Sequence, residues 1–252
     1  MTDVYQAPKS ELSDAEFSQN NGSIENGITG NYNLEIGEVL SEAWARTKGA
    51  KIPINVAACI FSIIAAIIML AIGYSFFEQI IESENSESFF SSMITSFIFG
   101  VVLTILYIPM FGGLLMMGVK RAVNAPLQVG EIFAYFPKII PLILLVIVSN
   151  LFIQIGYFLF FIPGIYLAIA YSMSTPLVLD KDMSFWTAME TSRKAVTRKW
   201  FPMFGLIIIL SIINFIAAIP LFIGLFWTMP MSLIALGIVY RNMFGVSSVS
   251  AN

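Results

Sequence analysis

Two groups of acidic residues are the first candidates for chemistry. The residues Glu78, Glu82, Glu84 and Glu87 fall within one short polar segment, and hard divalent cations prefer carboxylate oxygens of this kind. No Asp-Gly spacing or rigid loop pattern accompanies them, so we favour a solvated loop over a metal site.

The second group is Asp180 and Asp182, on either side of Lys181. An aspartate before a helix commonly accepts hydrogen bonds from its first N–H groups, and we expect Asp182 to cap the following helix in this way. The chain has no histidine, which is the commonest general base and metal ligand. We therefore expect no enzymatic activity, no metal and no cofactor.

A cluster of bases between two indole rings is the third candidate, and it indicates contact with anionic lipid headgroups. Its members are Arg193, Lys194, Arg198, Lys199, Trp186 and Trp200. The alternative is that these charges only fix the orientation of the chain in a membrane. No feature indicates a nucleic-acid partner; a protein partner or a second copy of the chain stays open.

Amide side chains form a fourth candidate, a polar intramembrane face. Asn150, Gln154 and Tyr157 are spaced by four and three residues, which places them on one face of a helix, and Asn214 is a candidate to join them. An amide in hydrocarbon costs several kcal/mol when unpaired, so we expect this face to point into the protein. We favour interhelical hydrogen bonds here, and a pocket for a headgroup or polar solute is the alternative.

These residues lie in a chain with the composition of an integral membrane protein. It is 58% hydrophobic and 12% charged, whereas soluble domains carry about 25% charged residues. The single cysteine, Cys59, excludes an internal disulfide, and we expect it to be a buried small apolar residue.

Charge-free intervals predict the membrane spans. Residues 139–179 and 200–240 are each 41 residues long without a charge, about twice the length that one span needs. Each must fold back on itself, and turn residues lie near the middle of both intervals: Pro163-Gly164 in the first, and Pro220, Gly224 and Pro230 in the second. Six spans follow, at about 52–77, 93–119, 139–159, 163–179, 201–219 and 227–242.

The bases also predict the orientation. All thirteen lysines and arginines fall on one side of this six-span arrangement, and the positive side of a membrane protein faces the cytoplasm. We expect residues 1–33 to form a disordered cytoplasmic tail, residues 34–245 the membrane domain and residues 246–252 a short cytoplasmic tail.

Prolines and basic residues recur at similar positions in successive pairs of spans. This pattern indicates a threefold repeat, each unit being an interfacial helix followed by two spans. The odd spans begin at similar junctions, Lys51-Ile-Pro53, Lys138-Ile-Ile-Pro141 and Lys199-Trp-Phe-Pro202. The even spans contain Pro109, Pro163 and Pro230, followed eleven residues later by Lys120, Ser174 and Arg241.

Three amphipathic stretches precede the odd spans and predict helices that lie in the headgroup plane. The apolar face of the first is formed by Ile36, Val39, Leu40, Ala43, Trp44 and Thr47; that of the second by Val129, Ile132, Phe133 and Phe136; and that of the third by Phe185, Trp186, Met189, Val196 and Trp200.

The segment 161–204 resembles bacterial multi-span proteins of the YciC-like group and the membrane domain of some glycerophosphodiester phosphodiesterases. The similar elements are Pro163-Gly164, the stretch Pro176-Leu-Val-Leu-Asp180, and a helix with Ser192-Arg193 that ends at Lys199-Trp200. The resemblance implies a multi-pass protein of a bacterial inner membrane. It carries no phosphodiesterase activity, because that catalytic domain is not in this sequence.

These observations favour a non-catalytic inner-membrane protein that binds lipid or a partner protein through its interfacial helices and the grooves between spans. The alternative is a transporter or channel for a neutral or amphiphilic solute. Asp, Glu, Lys, Arg and His are missing from the centres of the predicted spans, which disfavours ion-coupled transport through a charged relay.

Overall fold

The computed structural model describes residues 22–81 and 86–247, and every regular element in those two ranges is helical. The predicted all-α class is confirmed for this part of the chain. The α-helices are α1 (Ile24–Thr29), α2 (Ile36–Arg46), α3 (Lys51–Ile81), α4 (Ser86–Ala122), α5 (Ile139–Leu159), α6 (Phe161–Ala170), α7 (Ser174–Lys181), α8 (Phe185–Arg198), α9 (Trp200–Ala218) and α10 (Leu225–Phe244). Two 3₁₀ helices, Val129–Phe133 and Phe136–Lys138, join α4 to α5.

Within the described residues, five helical stretches are long and apolar enough to cross a membrane. They are Lys51–Tyr74, Thr104–Ala122, Val129–Leu159, Phe161–Lys181 and Trp200–Ala218. The helix expected to be the sixth span is present as α10, but it is not among the five. Its last turn carries Arg241 and Asn242, and from Pro230 onward most of its residues are buried.

The first hairpin is longer than the charge-free intervals indicate, because α3 continues to Ile81 and α4 begins at Ser86. Glutamate and glutamine are good helix formers, so a polar segment of this composition extends the helices instead of ending them. The segment expected to be a solvated acidic loop overlaps the ends of α3 and α4. Two of its glutamates, Glu82 and Glu84, lie outside the described residues. Cys59 is exposed on α3, and the expectation that it is buried is wrong.

The outward surface of the helices is apolar. Met69 and Leu70 on α3, Ile140 on α5 and Phe215 on α9 each expose at least 70% of their area. Soluble domains rarely present such continuous apolar surface to water, so this distribution fits helices surrounded by lipid.

The tightest packing in the centre is the crossing of α4 and α10. A Cβ atom added to Gly118 would lie 2.2 Å from the carbonyl oxygen of Leu233, and one added to Gly237 would lie 2.3 Å from that of Gly118. A Cβ atom added to Gly113 would lie 2.7 Å from the Cα atom of Ile132, and one added to Gly112 would lie 2.9 Å from a side-chain carbon of Leu179. Small residues permit close helix approach, and Gly113 and Gly118 each lie against the backbone of a neighbouring element.

The reversal between α5 and α6 does not occur at Pro163-Gly164. It occurs at Phe160, whose backbone is extended between two helices, and Pro163 lies in the first turn of α6. Proline is tolerated there because the first N–H groups of a helix have no intrahelical acceptor. Gly164 instead lets α6 approach α5, since a Cβ atom on it would lie 2.3 Å from the Tyr157 ring.

The three amphipathic stretches pack against the bundle with their apolar faces. Val39 and Ala43 of α2 are buried, and Ala188, Met189 and Val196 of α8 are buried in the same way. The second stretch differs from the expected helix, because it forms two short 3₁₀ helices. Ile132 of the first of these is fully buried against Gly113, and this close contact joins the segment to α4.

Part of the segment expected to be disordered is folded. Residues 22–33 include α1, and the Tyr32 hydroxyl donates to the carbonyl of Ala195 at 2.9 Å. The amide N–H of Gly22 donates to the carbonyl of Arg241 at 3.1 Å. Residues 1–21 lie outside the described part of the chain, as do residues 248–252 at the other end.

Candidate functional site

An apolar groove runs along the side of the bundle between α4 and α5. It consists of two adjoining cavities of about 410 and 320 Å³, which share Thr104, Ile108 and Val146 in their linings. We call this feature the lateral groove. Its volumes fall within the range of about 300–1,000 Å³ that is usual for small-molecule pockets.

The lining of the lateral groove offers little hydrogen bonding. The Thr104 hydroxyl donates to the carbonyl of Gly100 in its own helix at 2.8 Å. Around it lie Phe97, Val101 and Ile147, apolar side chains that are more than one-third exposed. A ligand that fits this surface is a hydrocarbon chain, because a polar solute would lose its hydrogen bonds to water here.

The ends of the central helices carry a network of charges. Arg241 is only 6% exposed, and its guanidinium donates to both carboxylate oxygens of Glu42 at 2.7 and 3.0 Å. It also donates to the carbonyl of Ala122 at the end of α4, at 2.7 Å. Two parallel N–H···O bonds give such a pair a fixed geometry, so Arg241 ties α10 to α2 and α4.

The Glu42 carboxyl also accepts from the Nε atom of Arg46 at 2.6 Å. Burial raises the pKa of Glu42, but the hydrogen bonds and charges of Arg241 and Arg46 outweigh it and hold this pKa below its ordinary value. Glu42 is therefore an ionised structural partner at neutral pH. Nothing in its contacts places it beside a nucleophile.

Asp180 is the centre of a second polar cluster. Its carboxylate accepts a hydrogen bond from the Tyr240 hydroxyl at 2.9 Å and from the amide N–H of Ser247 at 3.1 Å. The Lys181 ammonium lies 3.5 Å from the same carboxylate. These bonds connect the end of α7 to the end of α10, so a structural role accounts for this buried aspartate.

Asp182 does not cap α8, and that expectation is wrong. Its backbone is left-handed at the end of α7, and its carboxylate lies 2.5 Å from the Lys138 ammonium. Ser184 is the cap instead, since its hydroxyl accepts from the amide N–H of Thr187 at 3.2 Å. A serine two residues closer to the helix competes well for this position.

The bases predicted to bind lipid headgroups are already paired with protein. Arg193 donates to both oxygens of Glu190 at 2.9 and 2.7 Å, and the Lys194 ammonium is 3.5 Å from the same carboxylate. The Arg193 hydrogen bonds hold the pKa of Glu190 below its ordinary value.

The other two bases of this cluster hold the folded part of the N-terminal segment. Arg198 donates to the carbonyl of Ile28 at 3.1 Å, and the Lys199 ammonium donates to the carbonyl of Tyr32. The same ammonium lies 5.0 Å from the centre of the Tyr32 ring. Burial raises the pKa of the Tyr32 hydroxyl, which keeps it protonated as a donor.

The two indoles of the cluster differ in exposure. Trp186 is 55% exposed and contacts the ring of Phe152 on α5. Trp200 is partly buried and stacks on Phe204 with ring centres 4.9 Å apart. Only Trp186 is therefore free to enter a headgroup layer, and headgroup binding by the full cluster stays a prediction.

The polar intramembrane face points outward, contrary to the expectation that it faces the bundle. Asn150 and Gln154 are exposed and Tyr157 is 36% exposed. The Asn150 amide donates to the carbonyl of Val146 at 2.8 Å. This bond within α5 satisfies part of the amide, so the helix tolerates it on the outer surface.

Asn214 has a separate environment. Its amide donates to the Ser232 hydroxyl of α10 at 2.8 Å, whereas its carbonyl oxygen is buried without a hydrogen-bond partner in the described part of the chain. This is the interhelical bond that the sequence favours, formed without Asn150. The two amides therefore have different partners.

One polar contact was not anticipated from the sequence. The Asn55 amide donates to the carbonyl of Phe226 at 2.9 Å. That carbonyl would normally accept from the residue four positions later, which is Pro230, and proline has no N–H. A proline inside a predicted helix was the available signal that some donor must satisfy this carbonyl.

The side chains that the structure describes contain no group of three or more acidic, cysteine or histidine residues placed to hold a metal ion. Comparison with known proteins adds no identification: no family model, no curated protein and no solved structure matches this chain.

Proposed function

We propose that this protein is a non-catalytic, multi-pass membrane protein that holds lipid through the lateral groove and the helices at its charged end. The observation that carries the proposal is the groove itself, which is open to the side, lined by apolar residues and flanked by exposed apolar helix surface. An acyl chain matches this chemistry, since it brings no polar group that needs a partner.

The proposed topology has six crossings, with α10 as the sixth and both termini in the cytoplasm of a bacterial cell. The support is the meeting of bases from many elements at one end of the bundle. Lys120 pairs with Glu131 at 3.1 Å, Lys138 pairs with Asp182, and Arg241 pairs with Glu42. A cytoplasmic face enriched in bases is the usual arrangement.

The proposed threefold repeat has support in two of these pairs. Lys120 and Arg241 occupy equivalent positions, eleven residues after Pro109 and Pro230. Each pairs with a glutamate of an amphipathic stretch. We propose that these stretches lie at the membrane interface and close the cytoplasmic ends of the spans. The resemblance to the YciC-like group stays a prediction.

Filling the lateral groove tests the proposal. The variant Val146→Trp places an indole inside the groove, whereas Ile140→Trp places the same indole on the same helix at a residue that is 70% exposed. Native mass spectrometry of protein extracted with its own lipids should show fewer bound lipids for Val146→Trp and an unchanged number for Ile140→Trp.

Equal lipid retention by both variants and the wild type would contradict lipid binding in the groove. The transport alternative predicts a different result, in which the protein carries a neutral solute across liposomes. It requires the amides of Asn150 and Asn214 to share one passage, and their separate hydrogen bonds favour the lipid-binding proposal instead.

A further inference from the structure

A second cavity lies where α2 ends and α3 begins. Its volume is about 420 Å³, and its lining is formed by Trp44, Ala45, Thr47, Lys48 and Lys51. We call it the α2–α3 corner. It shares no lining residue with the lateral groove, and none of its residues belongs to the basic cluster of α8.

The two lysines of the α2–α3 corner have no carboxylate partner among the described residues. The nearest ring to the Lys51 ammonium is that of Trp227, with its centre 5.8 Å away. Lys48 is exposed, and neither lysine takes part in an ion pair within the described part of the chain. Both ammonium groups are therefore available to an anion.

The protein beneath the corner adds further positive charge. Arg121 donates to the carbonyls of Arg46 and Lys48 at 2.7 and 2.6 Å. Arg46 shares the carboxylate of Glu42 with Arg241. Among the five bases Arg46, Lys48, Lys51, Arg121 and Arg241, only Arg46 and Arg241 pair with a carboxylate, and both pair with that of Glu42. Five bases and one carboxylate leave an excess of four positive charges.

The corner also borders the apolar surface of the bundle. Ile52 and Val56, which follow Lys51 on α3, are 71% and 43% exposed. Trp44 is 55% exposed at the rim, and tryptophan is enriched at membrane–water interfaces. A ligand with an anionic head and an apolar tail matches this boundary better than a free ion does.

The α8 cluster offers a direct comparison. Glu190 pairs with both Arg193 and Lys194, and Arg198 and Lys199 donate to backbone carbonyls of the N-terminal segment. Those charges are engaged before any ligand arrives. The α2–α3 corner combines a cavity with unpaired ammonium groups, and it is the stronger anion site.

We propose that the α2–α3 corner binds the phosphate of an anionic lipid headgroup, with Lys48 and Lys51 as its charge partners and Trp44 at its rim. The inference rests on the proposed lipid-binding function and names the headgroup class that the protein selects. A lipid with a zwitterionic headgroup gains less from an excess of positive charge.

Native mass spectrometry with added lipid tests this. The full chain in detergent is titrated with dioleoyl phosphatidylglycerol or with dioleoyl phosphatidylcholine, for wild type, Lys48→Gln/Lys51→Gln and the matched control Arg193→Gln/Lys194→Gln. The corner variant should bind phosphatidylglycerol about 30-fold more weakly than wild type, the equivalent of about 1 kcal/mol for each base removed. The control should bind it like wild type, and unchanged thermal unfolding of both variants excludes a folding defect.

Four results would overturn the inference. Equal binding of phosphatidylglycerol by wild type and the corner variant removes the site, and a loss confined to the control assigns it to α8. Displacement of the lipid by inorganic phosphate at concentrations that leave phosphatidylcholine bound identifies a free phosphate as the ligand. Retention of both lipids without headgroup preference contradicts the inference and leaves the proposed function intact, whereas binding of neither lipid contradicts the proposed function.

Discussion

The crossing of α4 and α10 should fail when a single methyl group is added to it. In Gly237→Ala, the new Cβ atom would lie 2.3 Å from the carbonyl oxygen and 2.4 Å from the carbonyl carbon of Gly118, and 2.7 Å from the amide nitrogen of Val119. All three atoms belong to the backbone, so no side chain can rotate away. The two helices must separate.

The size of the effect follows from that separation. Carbon–oxygen contacts of about 3.3–3.6 Å are tolerated between packed helices, so the backbones must move apart by about 1 Å. Overpacking of this kind costs about 1–3 kcal/mol and sometimes more. Replacing a helical glycine by alanine returns up to about 1 kcal/mol, so the net change is a loss of stability.

Thermal unfolding of the purified protein, followed by tryptophan fluorescence, measures this loss. One kcal/mol corresponds to about 2–4 °C in Tm for a chain of this size. Gly73→Ala is the matched control, because an added Cβ atom on this α3 glycine meets nothing within 4 Å. We expect a lower Tm for Gly237→Ala and an equal or higher Tm for Gly73→Ala. A Gly237→Ala protein as stable as the control would refute the close crossing.

Three further predictions concern charge, proline and topology. The pKa of Glu42 is lowered in the folded protein, so the stability that its carboxylate adds is present above the unfolded pKa and is lost as pH falls through the folded pKa. The Tm difference between wild type and Glu42→Gln should therefore be largest near neutral pH and shrink in acid. A difference that does not change with pH would contradict the ion pair. Asn55→Leu leaves the carbonyl of Phe226 without its side-chain donor and should lower the free energy of unfolding by about 1–3 kcal/mol, measured by thermal unfolding. Asn150→Leu removes a hydrogen bond within one helix and should lower it by less. Equal losses in the two variants would contradict the role of Asn55 as the donor to this carbonyl. In a background without the native cysteine, cysteines at positions 86 and 248 should react with impermeant reagents added outside and inside respectively, and reaction of both from one side would contradict six crossings.

The helical hairpins could be predicted from the sequence because the bilayer thickness limits the length of one span. A charge-free interval of twice that length must therefore fold back on itself. The reversal between α5 and α6 falls within a few residues of the expected turn, at Phe160 instead of Pro163-Gly164. Proline marks both turns and first helical turns, so composition alone does not separate the two. The structure distinguishes the two possibilities, because Phe160 is the extended residue and Pro163 and Gly164 lie within α6, where Gly164 packs against Tyr157.

The pairing of distant charged residues could not be predicted. Glu42 and Arg241 are 199 positions apart, and every base at the same end of the bundle is an equally plausible partner until the helices are packed. The same reason explains the α8 cluster, where sequence shows four bases and the structure shows partners for each. Which face of a predicted span is buried is similarly ambiguous, because the spans are apolar on nearly all sides, as the outward orientation of Asn150 illustrates.

The central claim, that the lateral groove holds a lipid chain, is tested most directly by an electron cryo-microscopy map of the protein extracted with its native membrane. We expect elongated density between α4 and α5, in contact with Thr104, Ile108 and Val146, that disappears in Val146→Trp. An empty groove in the wild-type map, or ordered water running through it, would show that the lateral groove does not hold a lipid chain.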